Sequence, residues 1–211
     1  VVRIPVTVKC RIGIDEQDSY AQFVEFVGQL QDAGCEVFVV HARKAWLHGV
    51  SPRYNRQVPP LRYDYVHQLK REFPQLTVVL NGGLKDFTAV HAHLDVVDGV
   101  MLGRGVYDNP WLLSGVDEEI YHLEPKSLDR FQVGHSYCNY CRQQAVLGVP
   151  WRILIRPLFG LFYAQPGARF WRQQLSESLQ QPAGTVTLIE EALQQLQIRY
   201  PDSAASAVVA L

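Results

Sequence analysis

The chain has 211 residues, 47% of them hydrophobic, which is enough for one or two domains with a buried core. Its 20 Lys and Arg are balanced by 21 Asp and Glu, so overall charge gives no indication of a nucleic-acid partner. Four cysteines in a chain of this length do not suggest a disulfide framework, and no apolar stretch approaches the roughly 18 residues that span a membrane. We therefore expect a reduced, cytoplasmic protein without membrane contact.

Four apolar runs in the first part of the chain are typical of strands buried on both faces: residues 6–9, 37–41, 77–81 and 99–102. Helix signals lie between them. Ser19 can cap a helix that Gly34 ends, and residues 64–73 are amphipathic before Pro74. Asp86 can cap a third helix. This alternation predicts βαβ units and a parallel sheet.

The second part of the chain carries only helical signals. Asn109 and Pro110 suit the N-cap and first position of a helix. Further helices are predicted at residues 126–147, 151–164, 168–180 and 184–199. We therefore predict two domains, an α/β domain over residues 1–122 and an all-helical domain over residues 123–211.

Each predicted strand ends in groups that suit an anionic, phosphate-bearing ligand: Lys9, His41, Asn81-Gly82-Gly83 and Gly103-Arg104. Three of the groups also have a structural explanation, namely a packed core histidine, a tight turn and a surface ion pair. Lys9 ends an apolar strand and is harder to explain by structure alone, because its ammonium must face a polar pocket. Parallel strands deliver their carboxyl ends to one rim. We therefore interpret the four groups together as one ligand site.

The order of these groups indicates which strands they belong to. Four βα units cannot close a barrel, and in (β/α)8 barrels the phosphate site is typically built after strands seven and eight. Here the phosphate-type groups follow the third and fourth strands. The predicted fold is therefore α/β, the second half (strands 5–8) of a TIM barrel followed by an all-helical domain. The first half of the barrel is expected to be absent from this sequence.

A long loop follows the second strand. Residues 42–62 contain no acidic residue and mix basic with aromatic side chains: Arg43, Lys44, Arg53, Arg56 and Arg62 with Trp46, His48 and Tyr54. This composition is typical of surfaces that hold a phosphate backbone and stack bases, although a solvated loop explains it too. The helical part adds Arg152, Arg156, Arg169 and Arg172. Together these residues suggest a polyanionic macromolecule lying across a cofactor site.

Specific motifs closely resemble the tRNA-dihydrouridine synthases, and among them the bacterial A-type subfamily, which modifies uridine 20 or 20a in the D-loop. The matching segments are 5–15 (PVTVKCRIGID), 41–47 (HARKAWL), Ser51-Pro52, Asn55-Arg56, 59–61 (PPL), 80–83 (LNGG), 99–104 (GVMLGR), Tyr107, Asn109-Pro110 and 167–169 (GAR). They extend over nearly the whole chain, which corresponds to the C-terminal portion of a family member.

The resemblance implies an FMN cofactor that NADPH reduces. It places Asn81, Gly82, Gly83, Gly103 and Arg104 around the FMN phosphate. Lys9 would lie near the N1/C2 edge of the flavin, where a cation stabilises the reduced anion, and His41 would be a further contact. The reduced flavin would deliver hydride to C6 of a uracil extruded from tRNA, and a cysteine thiol would protonate C5.

The resemblance also implies the tRNA contacts, for which we select Arg43, Lys44, Arg53, Arg56, Arg156, Arg169 and Arg172. The catalytic cysteine is expected in the missing N-terminal part, so we predict no catalytic residue in this chain and an inactive fragment. Cys138 and Cys141 form a C-x-x-C motif, but no second pair completes a zinc site, and we predict no metal. No obligate protein partner is inferred.

Two other functions remain open at this stage. One is a flavin-dependent dehydrogenase that acts on a free pyrimidine base, which would not explain the basic residues in the loop over residues 42–62. The other is a fragment that binds RNA without catalysis. Whether the site holds a flavin that can be reduced distinguishes this RNA-binding fragment from an enzyme.

Overall fold

The computed structural model describes residues 4–180 and 186–204. The chain divides into two compact units, Val1–Gly103 and Arg104–Leu211. The functional division that we predict between residues 122 and 123 stays a prediction.

The first unit is an α/β structure. Its elements are β1 (Thr7–Arg11), α1 (Tyr20–Asp32), β2 (Val37–His41), α2 (Pro52–Asn55), α3 (Tyr63–Glu72), β3 (Thr77–Asn81), α4 (Phe87–Leu94) and β4 (Gly99–Met101). The four strands form a parallel sheet in the order β1-β2-β3-β4. The predicted α/β alternation and parallel sheet are therefore confirmed.

The predicted caps explain where two helices begin. Ser19 accepts a hydrogen bond from the backbone N–H of Gln22, and the Gln22 side chain reciprocates, which is a capping box at the start of α1. Asp86 accepts a hydrogen bond from the Ala89 N–H at 2.7 Å at the start of α4. Both contacts satisfy backbone donors that the first helical turn leaves without partners.

The two faces of the sheet differ in burial. On one face Phe38, Val40, Val78 and Leu80 have no exposed surface, and they pack in one core with side chains from α1 and α3. Because successive strand residues point to opposite faces, the alternate residues lie on the other face. There Lys9 is exposed, and the strand residues around it are not fully buried. Within the described residues of this unit, helices cover only one face of the sheet.

A histidine pair joins α3 to α4. Nε2 of His67 lies 3.1 Å from Nδ1 of His93, and the Tyr63 ring packs on His93 with ring centroids 4.4 Å apart. Burial lowers the pKa of His67, as does the nearby positive charge of Arg71. Burial also lowers the pKa of His93, with a further contribution from His67. Both rings are therefore neutral at pH 7, when one can donate to the other.

This pair predicts an acid-sensitive contribution to stability. A histidine whose pKa is lower when folded adds stability above its unfolded pKa of about 6.5, and that stability is lost as the pH falls toward the folded pKa. We expect His67→Gln to lower the free energy of unfolding by about 1 kcal/mol at pH 8, the net value of one hydrogen bond. The fall in Tm between pH 7 and pH 5 should become shallower. His48→Gln, in the exposed loop, is the control; equal pH profiles for wild type and His67→Gln would contradict this assignment.

Every element that the structure describes in the second unit is helical. They are α5 (Arg104–Asp108), a 3₁₀ helix (Pro110–Gly115), α6 (Val116–Glu119), α7 (Arg130–Val146), α8 (Trp151–Leu154), a 3₁₀ helix (Arg156–Gly160), α9 (Ala168–Ser178), α10 (Val186–Arg199) and a 3₁₀ helix (Pro201–Ala204). Trp171 lies fully buried at the centre of this unit, where its indole Nε1 donates to the Leu158 carbonyl at 2.7 Å. Leu193 and Leu196 of α10 are buried in the same core.

Two helix predictions were wrong in detail. The helix predicted over residues 151–164 breaks after Leu154, because Pro157 has no N–H to donate and its ring would clash with the carbonyl four residues earlier in a continuous helix. Asn109 does not cap: its side chain makes no cap hydrogen bond, and Pro110 begins a 3₁₀ helix instead of an α-helix. Residues 184 and 185 of the last predicted helix lie outside the described residues.

Candidate functional site

The carboxyl ends of the strands form the candidate site in the first unit. Pairing across the sheet places Arg11, His41, Asn81 and Met101 in one row. Lys9 lies two residues earlier on the same face. The prediction that β1 ends at Lys9 was therefore wrong, because the strand continues to Arg11.

Hydrogen bonds connect Lys9 to the far side of the sheet. Its Nζ donates to Oδ1 of Asn81 at 3.2 Å, across the intervening strand β2. Nδ2 of Asn81 donates in turn to the Met101 carbonyl at 2.7 Å, which fixes the amide orientation. Asn81 therefore accepts a hydrogen bond from the Lys9 ammonium and holds it near the strand ends. This bond uses one of the three N–H donors of the ammonium.

A tight turn follows Asn81. Gly82 and Gly83 both have positive φ, at 112° and 79°, values that residues other than glycine rarely adopt. A Cβ on Gly82 would lie 2.5 Å from Cδ2 of His41, and a Cβ on Gly83 would lie 2.5 Å from the Tyr63 hydroxyl. The Tyr63 hydroxyl donates to the Gly82 carbonyl at 2.8 Å. His41 and the glycine turn, predicted as one site, are therefore in contact.

The turn fits a phosphate in one further respect. Among the backbone hydrogen bonds of the described residues, none begins at the N–H of Gly82 or Gly83. Two adjacent backbone donors in positive-φ geometry, on residues without a side chain of their own, suit the close approach of an anion. Gly82 and Gly83 could therefore hold a cofactor phosphate.

The surroundings of Gly103 and Arg104 differ from those of Gly82 and Gly83. A Cβ on Gly103 would meet no atom within 4 Å, so the local packing does not require glycine there. Gly103 is the last residue of the first unit, and Arg104 begins both the second unit and α5. Their role at a phosphate stays a prediction.

The long loop is held by a contact within it and by contacts with the segment between β1 and α1. Nζ of Lys44 forms a 2.8 Å ion pair with Asp18 and donates to the Asp15 carbonyl at 2.9 Å. Hydrogen bonding to Asp18 raises the pKa of Lys44. Arg43 donates from Nη1 to the Pro59 carbonyl. These contacts give Lys44 and Arg43 a part in shaping the loop, and their contact with tRNA stays a prediction.

Arg53 and Arg56 are exposed and lie on and just after the short helix α2. Tyr54 lies between them, 48% exposed, with its ring stacked at 6.2 Å on that of Trp46. Two exposed guanidinium groups beside an aromatic pair form the basic and aromatic surface that we predict for this loop. We call residues 43–58 the basic loop.

Sequence reasoning assigned no role to Arg11, Asn55 and Asp15. Arg11 and Asn55 connect the two limbs of the basic loop, namely the segment that leaves β2 and the segment that contains α2. Oδ1 of Asp15 accepts from the Leu47 N–H at 2.9 Å. Arg11 is in register with His41 and Asn81, so the alignment of strand ends could have identified it. Asn55 and Asp15 lie in segments that carry the family resemblance, but their partners, Trp46 and Arg11 for Asn55 and Leu47 for Asp15, cannot be read from local sequence.

The arginines predicted in the second unit are exposed as well. Arg156 lies at the start of the 3₁₀ helix Arg156–Gly160, and Arg169 and Arg172 lie one turn apart on α9. Between them, Trp171 points into the core. Their spacing places both guanidinium groups on the solvent face of α9.

The four cysteines lie away from the strand-end row. Cys10 follows Lys9 and therefore lies on the opposite, helix-covered face, where burial raises its pKa to about 11. Cys35, Cys138 and Cys141 are buried. Burial raises the pKa of Cys138 to about 12 and of Cys141 to about 11, so both thiols are protonated core groups. Across residues 4–180 and 186–204 no group of three potential metal ligands occurs, and no helix there is long and apolar enough to cross a membrane.

The comparisons with known proteins agree with the motifs. The family model for dihydrouridine synthase (Dus) matches residues 1–198. The chain belongs to the dihydrouridine synthase family. It is 45% identical over 197 residues to the tRNA-dihydrouridine(20/20a) synthase of Vibrio cholerae serotype O1, covering 93% of this chain and 60% of that protein.

Other relatives give the same result. The tRNA-dihydrouridine(20/20a) synthase of Yersinia pestis is 45% identical over 203 residues, covering 96% of this chain and 59% of the relative. That of Escherichia coli strain K12 is 45% identical over 194 residues, covering 92% of this chain and 56% of the relative. This dihydrouridine synthase family member thus spans less than two thirds of the length of the curated relatives that it matches.

Proposed function

We propose that this chain is part of an enzyme that forms 5,6-dihydrouridine at position 20 or 20a of tRNA, with FMN as cofactor and NADPH as reductant. The observation that carries the proposal is the agreement of two independent results. The chain matches dihydrouridine synthases over more than nine tenths of its length. Its Lys9, His41, Asn81 and glycine turn are also in contact at the strand ends.

We infer further that the first unit is the second half of a (β/α)8 barrel, strands 5–8. Burial on one face of the sheet supports this, because the strands of a closed barrel are covered by helices outside and by each other inside. The uncovered face carries Lys9 and would be the barrel interior. On this proposal residues 1–122 belong to the FMN-binding barrel and residues 123–211 form the helical tRNA-binding domain, and the chain alone is inactive.

The residues of this chain would hold and polarise the flavin. Gly82, Gly83 and Asn81, with Gly103 and Arg104, would bind the phosphate, and His41 would border it. The flavin, when bound, supplies hydride to the uracil ring. Lys9 would hold positive charge beside the ring edge at which negative charge accumulates on reduction, and Asn81 holds its ammonium in place. The proton for the uracil would come from a cysteine outside this chain.

The tRNA would be held by charge on both units. Arg53 and Arg56 are exposed on the basic loop, and Arg156, Arg169 and Arg172 are exposed in the helical unit. Guanidinium groups suit phosphate because they offer paired donors in one plane. Arg43 and Lys44 would add charge to the basic loop while they hold it in shape.

The experiment that tests this function uses the full-length gene product. We expect the purified protein to carry FMN, to be reduced by NADPH, and to form dihydrouridine in tRNA that lacks the modification. Free uracil and uridine serve as competing substrates. Conversion of the free base instead of tRNA would favour a pyrimidine dehydrogenase, and RNA binding without flavin reduction would favour a non-catalytic RNA-binding protein.

Lys9→Ala is expected to separate binding from chemistry. Because Lys9 would contact the ring edge and not the phosphate, FMN should be retained at near wild-type stoichiometry. Its reduction by NADPH should slow at least tenfold, which corresponds to roughly 1.4 kcal/mol of charge stabilisation. Stopped-flow absorbance at the flavin band measures both quantities. An unchanged rate of reduction would remove Lys9 from this role.

A further inference from the structure

We propose that Arg11 is a positioning residue that fastens both limbs of the basic loop to strand β1 and so presents Arg53 and Arg56 to RNA. This inference rests on the proposed function and assigns to Arg11 a role that acts through other residues. The observation behind it is the convergence of two distant loop segments on one guanidinium group.

One nitrogen of Arg11 contacts both limbs. Its Nη1 donates to the Lys44 carbonyl at 2.8 Å, on the limb that leaves β2. It also lies 3.0 Å from the Asn55 carbonyl and 3.2 Å from Asn55 Oδ1, on the limb that contains α2. Arg11 is the last residue of β1, so the sheet fixes where this guanidinium begins.

Asn55 joins the same limbs directly. Its Oδ1 accepts from the Trp46 N–H at 3.0 Å, and its Nδ2 donates to the Trp46 carbonyl at 2.5 Å. Arg11 and Asn55 together therefore link β1, Trp46 and α2 by hydrogen bonds. The exposed Arg53 and Arg56 flank Asn55 at distances of two and one residues in sequence. Any movement of Asn55 therefore moves both arginines.

Among the described residues, Arg11 is held by hydrogen bonds to neutral groups and not by an ion pair. The contacts made by its side chain are to carbonyl-type oxygens, and Arg43 and Arg56 are nearby like charges. Burial, followed by these two charges, lowers the pKa of Arg11. A guanidinium placed among other cations is held by its hydrogen bonds, and it adds positive potential beneath the surface on which an anion would lie.

The test is a double-mutant cycle in the full-length gene product. Arg11→Met keeps the apolar stem and removes the donors. It is combined with the pair Arg53→Ala and Arg56→Ala. Arg62→Met is the matched control, because the Arg62 side chain pairs with Asp64 and lies over the Tyr65 ring, and its backbone contact with Ala42 does not depend on the side chain. Three quantities are measured: the Kd for tRNA, the rate of trypsin cleavage after Arg53 and Arg56 without RNA, and the FMN content.

The expected result is a weakening of tRNA binding that depends on the loop arginines. Arg11→Met should raise the Kd for tRNA at least fivefold in the wild-type background and less than twofold when Arg53 and Arg56 are already absent. Cleavage in the loop should be about tenfold faster in Arg11→Met and unchanged in Arg62→Met. FMN content should stay at the wild-type level.

Two results would overturn the proposal. Equal effects of Arg11→Met in both backgrounds would mean that Arg11 contacts RNA itself. An unchanged cleavage rate would mean that the loop does not depend on it. If the wild-type protein failed to bind tRNA, the proposed function would be wrong, and the cleavage rates would still decide whether Arg11 fastens the loop.

Discussion

Gly82→Ala in the full-length gene product is expected to weaken FMN binding by about a hundredfold, which corresponds to roughly 3 kcal/mol. Two physical causes add. A φ of 112° is strained for any residue with a Cβ, at a cost of about 1–2 kcal/mol. The new methyl group would also lie 2.5 Å from the His41 ring, so either the ring or the turn must move. Both are proposed cofactor contacts.

The measurement is a fluorescence titration of the apoprotein with FMN. Gly28→Ala is the control, because Gly28 lies within α1 and a Cβ there meets no atom within 4 Å. That variant should bind FMN like the wild type and should be slightly more stable, since alanine favours helix. Normal FMN affinity in Gly82→Ala would show that this turn does not hold the cofactor.

Replacement of Arg53 and Arg56 together is expected to weaken tRNA binding by roughly 2–6 kcal/mol, at about 1–3 kcal/mol for each charge-assisted hydrogen bond to phosphate. The dependence of log Kd on log salt should become flatter by up to about two units, about one for each phosphate that is no longer neutralised. Oxidation of NADPH by the flavin in the absence of RNA should not change, because both residues lie on the loop and not at the strand ends.

The experiment is a filter-binding or anisotropy titration at several salt concentrations. Arg71→Ala provides the control, since Arg71 is an exposed cation in the last turn of α3. It should change neither the affinity nor the salt slope by more than a long-range charge effect. If the double variant kept the wild-type affinity and slope, the basic loop would not hold tRNA, and an enzyme of free pyrimidine bases would become the better proposal.

The parts of the fold that could be predicted depend on local signals. The strands could be located because β-branched and apolar residues run together, and α1 and α4 because Ser19 and Asp86 can cap them. The break in the helix predicted over residues 151–164 carried a local signal that the prediction did not use, because Pro157 lacks the N–H that a continuous helix needs. Asn109 carries a cap signal and does not cap: its Oδ1 lies buried, without a partner among the described residues.

The candidate site could be predicted only in part, for a related reason. Convergence of Lys9, His41 and the glycine turn follows from the parallel sheet, and their contacts agree with it. The two-residue extension of β1 beyond Lys9 did not follow, because register is set by pairing with β2. Arg11 therefore received no role, although it ends the strand. Its partners Lys44 and Asn55 are 33 and 44 residues away, and local sequence patterns do not predict contacts over such separations.

The attachment of Arg11 to neutral oxygens has a consequence for the acid behaviour of the loop. Carbonyl groups take up no proton in the range in which proteins stay folded, and the arginine side chain remains charged throughout it. Acidification therefore has nothing to titrate at this fastening, and both limbs of the basic loop should stay attached to β1 at any pH at which the protein remains folded.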